Sequence, residues 1–495
     1  MYFPHPFAVL LVCVAALAWL LNNLNGRKRS GYKKFPPGPR GLPVIGNLHM
    51  LNLKRPYLTL QELSRHYGSV FSIQMGLQKV VVLSGYEAVR DALVNYADAF
   101  AERARIPIFQ LTSKGNGIIF SHGDNWKVMR RFTLSALRDY GMGKRTIEDK
   151  IIEECAFLIK NFETYKGNPF QNLTIMNAAV ANIIVSIVLG HRYDYQDKTF
   201  LRLLHLINQN FEYSASPMVS LFNMYPTIFR FLPGRHKMFL KNIGEIHVFI
   251  RATFIKHLKE LDQNDQRSLI DTFLVRQQEE KPDPHIYFHD ENLTSLVSHL
   301  FAAGMETTST TLQWGLLLMI KYPEIQEKVQ KEIDAVIGSA KPQTEHRRQM
   351  PYTDAVIHEI QRFSNILPMG LPHETTMDVE FKGFLIPKGT FIIPLLASVL
   401  NDTNHFEKPE EFNPQHFLDS AGNFVKNEAF MPFSAGRRVC AGENLAKMEL
   451  FLFFASLLQK FTFCPPAGVT HVDVSRGIGF TVPPLPHSIC AVPRH

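Results

Sequence analysis

An uncharged apolar run near the amino terminus, residues 7–21 (FAVLLVCVAALAWLL), constrains this chain before anything else. As a helix it covers roughly 22 Å at about 1.5 Å per residue, against a hydrocarbon core of about 30 Å. Residues 1–6 carry no Lys, Arg, Asp or Glu, and Leu24 lies just beyond, so the stretch reaches a spanning length. Asn22, Asn23, Asn25 and Gly26 end it, and Arg27, Lys28, Arg29, Lys33 and Lys34 follow. Positive residues stay on the cytoplasmic side, which places the amino terminus in the lumen and the rest in the cytosol. The rival reading is a cleaved signal peptide, with Ala16-Leu17-Ala18 as a small-x-small site. Against it, no basic residue precedes the run, and Trp19, Leu20 and Leu21 continue it past the candidate cut.

Residues 1–26 therefore read as a signal-anchor and residues 27–46 as a basic, proline-rich hinge. Pro36, Pro37, Pro39 and Pro43 fix φ and lack donors, so no helix continues through them. Residues 47–495 read as one catalytic domain, with no second linker, repeat or low-complexity tract. Fifty-three basic against 45 acidic residues give +8, a thin basic excess concentrated in the 27–34 cluster. Zinc-finger spacing, repeated basic helices and aromatic RNA-binding signatures are lacking, which argues against nucleic acid. Five cysteines in 495 residues exclude a disulfide scaffold.

Helical patterns cover 147–162, 200–213, 236–261, 290–321, 324–337, 353–363 and 443–460, with Tyr322-Pro323 stopping the longest. Strand-like runs fall at 70–75 and 79–84 around Gly76, and at 379–386 and 390–394 around Gly389. The fold class is mainly α with a minor β region.

The stretch Phe433-Ser434-Ala435-Gly436-Arg437-Arg438-Val439-Cys440-Ala441-Gly442 carries the most chemistry. Its cysteine sits between two glycines, behind an aromatic and beside two arginines, just before a helix. Glycines let a backbone turn with φ > 0 or approach a flat ligand closely. Arginines and a helix amino terminus favour a thiolate. That is the environment a thiolate ligand to an iron porphyrin needs. An inert buried cysteine and a hydrolase nucleophile are the alternatives. Cys13, Cys155, Cys464 and Cys490 have no such surroundings.

This stretch resembles the cysteine loop of cytochrome P-450 enzymes, F-x-x-G-x-R-x-C-x-G, at Phe433, Gly436, Arg438, Cys440 and Gly442. The wider pattern is similar to the microsomal family 2 branch. The resemblance implies a cytochrome P-450 fold and haem b with Cys440 as its axial thiolate ligand. Ala303-Gly304-Met305-Glu306-Thr307 resembles the family's A-G-x-[DE]-T. Small residues at 303 and 304 are expected to leave room for dioxygen and substrate. Thr307 can bond back to carbonyl 303, and Glu306 offers a proton path. Trp126 and Arg130 resemble W-x-x-x-R; four apart on a helix, they can reach one propionate. The resemblance adds Arg103, His373 and Arg438 to the propionate set. Glu359 and Arg362 resemble E-x-x-R and share a helix face, with a structural role under the cysteine loop. Their third partner in the family is an arginine, where this chain has His416 in Pro414-Gln415-His416-Phe417. Lys127 and Arg131 are read as a docking face for an acidic electron donor, or else as a solvated basic face.

The function implied is a monooxygenase inserting one oxygen atom from O2 into a lipophilic fatty acid, steroid or xenobiotic. NADPH–cytochrome P-450 reductase would supply electrons, with cytochrome b5 as a second donor, at the endoplasmic reticulum membrane. The alternatives are a peroxide-rearranging haem-thiolate isomerase and a non-enzymatic membrane-bound haem or lipid carrier. By resemblance the pocket is lined by the 103–120 loop with Ile106, Ile108, Phe109, Ile118 and Phe120. The helix near Phe211, the long helix near Phe301, the stretch Ile366-Leu367-Met369 and the loop at Phe480 complete it. Asn172, Asn292 and Asn401 start glycosylation sequons that a cytosolic domain leaves unused.

Overall fold

The computed structural model describes residues 35–140, 145–279 and 287–494. The anchor and the basic first part of the hinge (27–34) lie outside the described residues, and among those described no helix is long and apolar enough to cross a membrane.

The ten longest helices begin with α1 (Pro56–Tyr67), α2 (Gly123–Asp139), α3 (Arg145–Glu163), α4 (Leu173–Val188) and α5 (Lys198–Ser214). They continue as α6 (Arg235–Lys259), α7 (Asp290–Lys321), α8 (Pro323–Val336), α9 (Pro351–Ser364) and α10 (Glu443–Lys460). The 32-residue α7 is the spine. The His289 side chain accepts from the Asn292 amide at its start, and Asp290 and Glu291 sit where the helix dipole favours acids. Tyr322 ends it, and Pro323 opens α8 at the position where a missing N–H is harmless. Helices α4, α6, α9 and α10 pack around α7. Most of α7 is buried, so its apolar and small residues run round the whole circumference.

Five strands form the main sheet in the order β1-β2-β7-β4-β3: β1 (Val70–Met75), β2 (Gln78–Leu83), β3 (Glu102–Arg103), β4 (His373–Glu374) and β7 (Phe391–Pro394). The Gly76 turn joins β1 to β2 as expected. The Gly389 expectation fails. The run at 379–386 is itself a hairpin, β5 (Val379–Phe381) with β6 (Phe384–Ile386), turning at Lys382-Gly383, where both residues have positive φ. Strand β7 instead pairs in parallel with β2 and antiparallel with β4. The β3–β4 pair sets Arg103 directly opposite His373. A last pair, β8 (Phe461–Cys464) and β9 (Cys490–Pro493), lies at the carboxyl end.

Asn172 and Asn292 are buried, and the Asn292 side chain bonds Asn125, Tyr287 and Gly117, so neither sequon presents an accessible amide.

Candidate functional site

The cysteine loop is built by backbone constraints. Gly436 has φ +73°, and a Cβ there would overlap the Leu93 carbonyl oxygen. Ser434 also has positive φ, at 61°. The loop closes as the Cys440 amide donates to the Phe433 carbonyl at 3.1 Å. Gly442 has ordinary φ (−94°) and caps α10; a Cβ there would meet only the Cys440 Sγ, at 4.0 Å. Gly436 is thus the turn and close-approach glycine, whereas Gly442 keeps space beside the sulfur. Gly436→Ala should destabilise the protein by upwards of about 2 kcal/mol, since left-handed strain of about 1 kcal/mol adds to backbone overlap. Gly422→Ala, at φ +82° with nothing near, is the control that carries the strain alone. Thermal melting of the two variants checks this; equal shifts would remove the overlap argument.

Burial pushes the Cys440 thiol up from its ordinary value, and the Glu443 charge adds to this. The Gly442 amide and the Arg130 and Arg103 charges oppose it without prevailing. The arginines and the helix terminus thus favour the thiolate as the sequence suggests, against the desolvation that favours the thiol. Cys440 nevertheless retains open surface, whereas Cys155 is enclosed and its thiol is pushed up to about 12 by burial. Of the two arginines, Arg437 turns outward to Asp98 and only Arg438 turns inward.

Around the loop the inward cations converge. Arg130 donates to the Val439 carbonyl at 2.8 Å, and Arg103 donates to the carbonyls of Leu371 at 3.0 Å and Arg438 at 3.3 Å. Arg438 donates to the carbonyls of Ala101 and Ser121, pairs with Glu102 at 3.2 Å, and stacks 3.7 Å over the Trp126 ring. Burial lowers Arg103 to about 9, with the Arg438 and Arg130 charges pushing the same way. Burial also lowers Arg438 to about 9, against the pull of Glu102. Three buried donors here have no partner: Arg103 Nε, Trp126 Nε1 and Arg438 Nη1. Buried donors are rarely left unpaired. Crowded cations with orphaned N–H groups are what a bound carboxylate group would satisfy.

The sequence profile of the Cytochrome P450 family matches residues 36–491. This chain belongs to the cytochrome P450 family. It is 50% identical over 466 residues to cytochrome P450 2K4 of Oncorhynchus mykiss, covering 93% of this chain and 92% of that one. It is 48% identical over 490 residues to cytochrome P450 2K1 of the same species (98% and 97%). Cytochrome P450 2B19 of Mus musculus is 44% identical over 485 residues (98% and 99%). The P450 family binds haem through a cysteine thiolate, and this chain is a haem-thiolate monooxygenase. The orphaned donors beside Cys440 fit the propionates of that group.

His373 stands apart from the other basic residues of this P450. Its Nδ1 lies 2.6 Å from the Phe100 carbonyl and its Nε2 2.7 Å from Arg103 Nη1. Burial and the Arg103 charge hold it well below its ordinary value, so the neutral ring donates at Nδ1 and accepts at Nε2. In this arrangement it orients Arg103 and has no second N–H for a carboxylate.

On α7, Thr307 Oγ1 donates to the Ala303 carbonyl at 2.7 Å, as its spacing predicts. Ala303 is exposed in mid-helix because it faces a cavity, which Thr307 also lines. Gly304 does not face it: a Cβ there would run into Ile184 of α4, so its small size serves helix packing and the expected room for dioxygen belongs to Ala303 alone. Burial raises the Glu306 carboxyl, against hydrogen bonds donated by Thr481 at 2.8 Å and Thr310 at 3.3 Å. The structure thus brings Glu306 to Thr481, itself a cavity residue.

Phe109, Phe120, Phe211, Leu367 and Phe480 line the cavity as expected. Phe109 stacks on Phe120 with centroids 4.2 Å apart, and Phe480 meets both Phe109 and Phe211 edge-on. Phe301, Ile118 and Ile366 turn into the main core instead, Ile106 and Ile108 join a cluster with Phe222, and Met369 packs on the sheet. The stretches that hold Asn210, His299 and Thr481 are expected from the sequence, but α6 is not expected as a wall, and it supplies Phe239, Ile243, Ile246 and His247. Their only signal is a shared face on α6, visible once that helix is packed against α5 and α7.

Proposed function

We propose that this P450 is held at the endoplasmic reticulum membrane by residues 1–26, hinged at 27–46, with residues 47–495 as a cytosolic catalytic domain. It inserts one oxygen atom of O2 into a lipophilic small molecule with NADPH-derived electrons from a flavoprotein reductase, and cytochrome b5 serves as a second donor. An exposed apolar patch supports the membrane placement. Ile228 is 62% and Phe231 69% exposed, next to exposed Leu232 and Met238, with Arg230, Arg235 and Lys237 around them. The Tyr225 hydroxyl bonds the Val44 carbonyl and joins this patch to exposed Leu42 and Ile45 at the end of the hinge. For the electron donor, Lys127 is tied to Asp124 at 2.9 Å, which leaves Arg131 as the stronger docking cation of that pair.

The observation that carries the site assignment is the set of unpartnered donors, Arg103 Nε, Trp126 Nε1 and Arg438 Nη1, beside an accessible Cys440. Cys440 would hold the haem iron through its thiolate. Trp126, Arg130, Arg103 and Arg438 would hold the propionates, with His373 orienting Arg103 and Phe433, Gly436 and Gly442 shaping the loop. Haem, once bound, supplies the redox centre at which dioxygen is activated. Ala303 leaves the adjoining wall open. Thr307 donates its own proton to the Ala303 carbonyl, so its oxygen lone pairs remain free to accept. Glu306, whose carboxyl burial shifts toward the protonated form, stands one residue away as the proton-handling acid. The acid–threonine pair favours oxygen activation over peroxide rearrangement.

Reconstitution with reductase and NADPH tests this reading. Thr307→Ala should cut product formation on the order of a hundredfold, the lower end of what a positioned proton group contributes. NADPH consumption should continue and hydrogen peroxide should rise. Unchanged product per NADPH would remove Thr307 from the proton route. Product made from a fatty-acid hydroperoxide without NADPH would instead favour the isomerase.

A further inference from the structure

Three consecutive polar residues on α5 behave differently. Asn208 Oδ1 accepts from Asn177 at 3.2 Å, and Gln209 Oε1 accepts from Asn242 at 3.1 Å. Both thereby bind neighbouring helices. Asn210, 6% exposed, lines the cavity between Ile207 and Phe211, and neither its Oδ1 nor its Nδ2 has a partner. Among the described residues that line this cavity, it is the one with orphaned buried polar atoms. The hydroxyls of Thr112, Ser214, Thr307 and Thr481 are committed to protein acceptors. A buried amide with both halves unmatched costs stability unless something else completes it.

The rest of the wall limits what that can be. No Asp, Glu, Lys or Arg lines the cavity. Burial holds His247 below its ordinary value and lowers His299 to about 4, so neither ring offers a positive charge near neutral pH. An ionised head group placed here would be buried without a counter-charge, which is strongly unfavourable. The stacked Phe109 and Phe120 rings and the edge of Phe480 suit a hydrocarbon body.

We infer that Asn210 anchors the substrate, and that the cavity selects lipophilic molecules bearing one uncharged group that both donates and accepts a hydrogen bond, such as a primary carboxamide or an alcohol. This rests on the cavity being the substrate site of the monooxygenase. It narrows the substrate class, since a fatty acid would enter as its neutral amide, alcohol or protonated form and not as a carboxylate.

The test uses the full haem-loaded protein and equilibrium dialysis with n-decanamide, n-decane and decanoate. The native protein should bind decanamide more tightly than decanoate. Asn210→Leu should weaken decanamide about ten- to hundredfold, the range for a lost pair of buried hydrogen bonds, and leave decane within about twofold. Asn210→Gln, which keeps the amide, should retain part of the preference. Without ligand, Asn210→Leu should melt higher than the native protein, because the unmatched amide is gone. A lower melting temperature would give the amide a structural role and overturn the inference. So would decanoate binding as tightly as decanamide, or decanamide and decane weakening together. The carbon-monoxide spectrum separates the two levels of argument: its absence in native protein sinks the haem-thiolate site itself, whereas a normal band with these negative outcomes sinks only the Asn210 anchor.

Discussion

Cys440→Ser should abolish the strongly red-shifted Soret band of the reduced, carbon-monoxide-bound protein, and with it all NADPH-supported turnover. A serine oxygen in the same place is neither an anion near neutral pH nor a soft ligand, so sulfur's electron donation to the iron is lost outright. The geometry leaves little latitude for a substitute. The loop is pinned by the Cys440 amide on the Phe433 carbonyl, by Arg130 on the Val439 carbonyl, and by Gly436 against Leu93. The other described cysteines provide controls. Cys155 is enclosed in α3, and Cys464 and Cys490 face each other across β8–β9. Serine at any of those three should leave the band intact. Survival of the band in Cys440→Ser, or its loss in Cys155→Ser with the fold retained, would move the ligand elsewhere.

The legible parts of this protein are those whose chemistry is local. The bounds of α7 follow from its acidic first turn and from Tyr322-Pro323, and the structure places them at Asp290–Lys321. The Thr307 back-bond and the Glu359–Arg362 pair follow from helical spacing alone. Helix α4 is not legible in the sequence because residues 176–188 are all buried, which removes the amphipathic period. The partner of β7 is not legible either, because a turn glycine marks a reversal without saying which strand lies beyond it. Gly304 and Ala303 are adjacent small residues with opposite duties, and only the presence of Ile184 separates them. Asn210 and Thr481 matter through what they face across the cavity, a relation between segments that no local pattern records.

Arg362→Leu should be among the most damaging substitutions outside the cysteine loop. All five N–H donors of Arg362 are engaged: two on Glu359 at 2.7 Å each, and the others on the carbonyls of Leu400 (3.0 Å), Pro409 (2.8 Å) and Glu411 (3.0 Å). Glu359 is equally committed, accepting also from the Asn413 amide at 2.8 Å and from His416 at 3.1 Å. Both side chains are wholly buried. Removing one partner leaves a buried charge and three carbonyls unmatched, at a cost of about 3–5 kcal/mol. Arg362→Lys keeps the charge but offers three donors on one atom, so it should fail nearly as badly. Yield of haem-loaded protein and its thermal inactivation rate measure this; a native-like Lys variant would reduce the network to a simple ion pair. His416 adds a pH term. Its Nδ1 faces Glu359 and its Nε2 lies 2.6 Å from the Glu407 carbonyl, so both nitrogens meet acceptors and the doubly protonated ring fits. Burial opposes the charge, but the Glu359 hydrogen bond and charge prevail, and its pKa stands above the ordinary 6.5. The sign follows from the raised folded value. The stabilisation is full below about 6.5 and is lost as pH rises through the higher folded pKa. His416→Arg, which puts a permanent cation there, should therefore remove that alkaline loss of stability and change little under acidic conditions. An unchanged pH profile in His416→Arg would show that the imidazolium contributes nothing to holding Glu359.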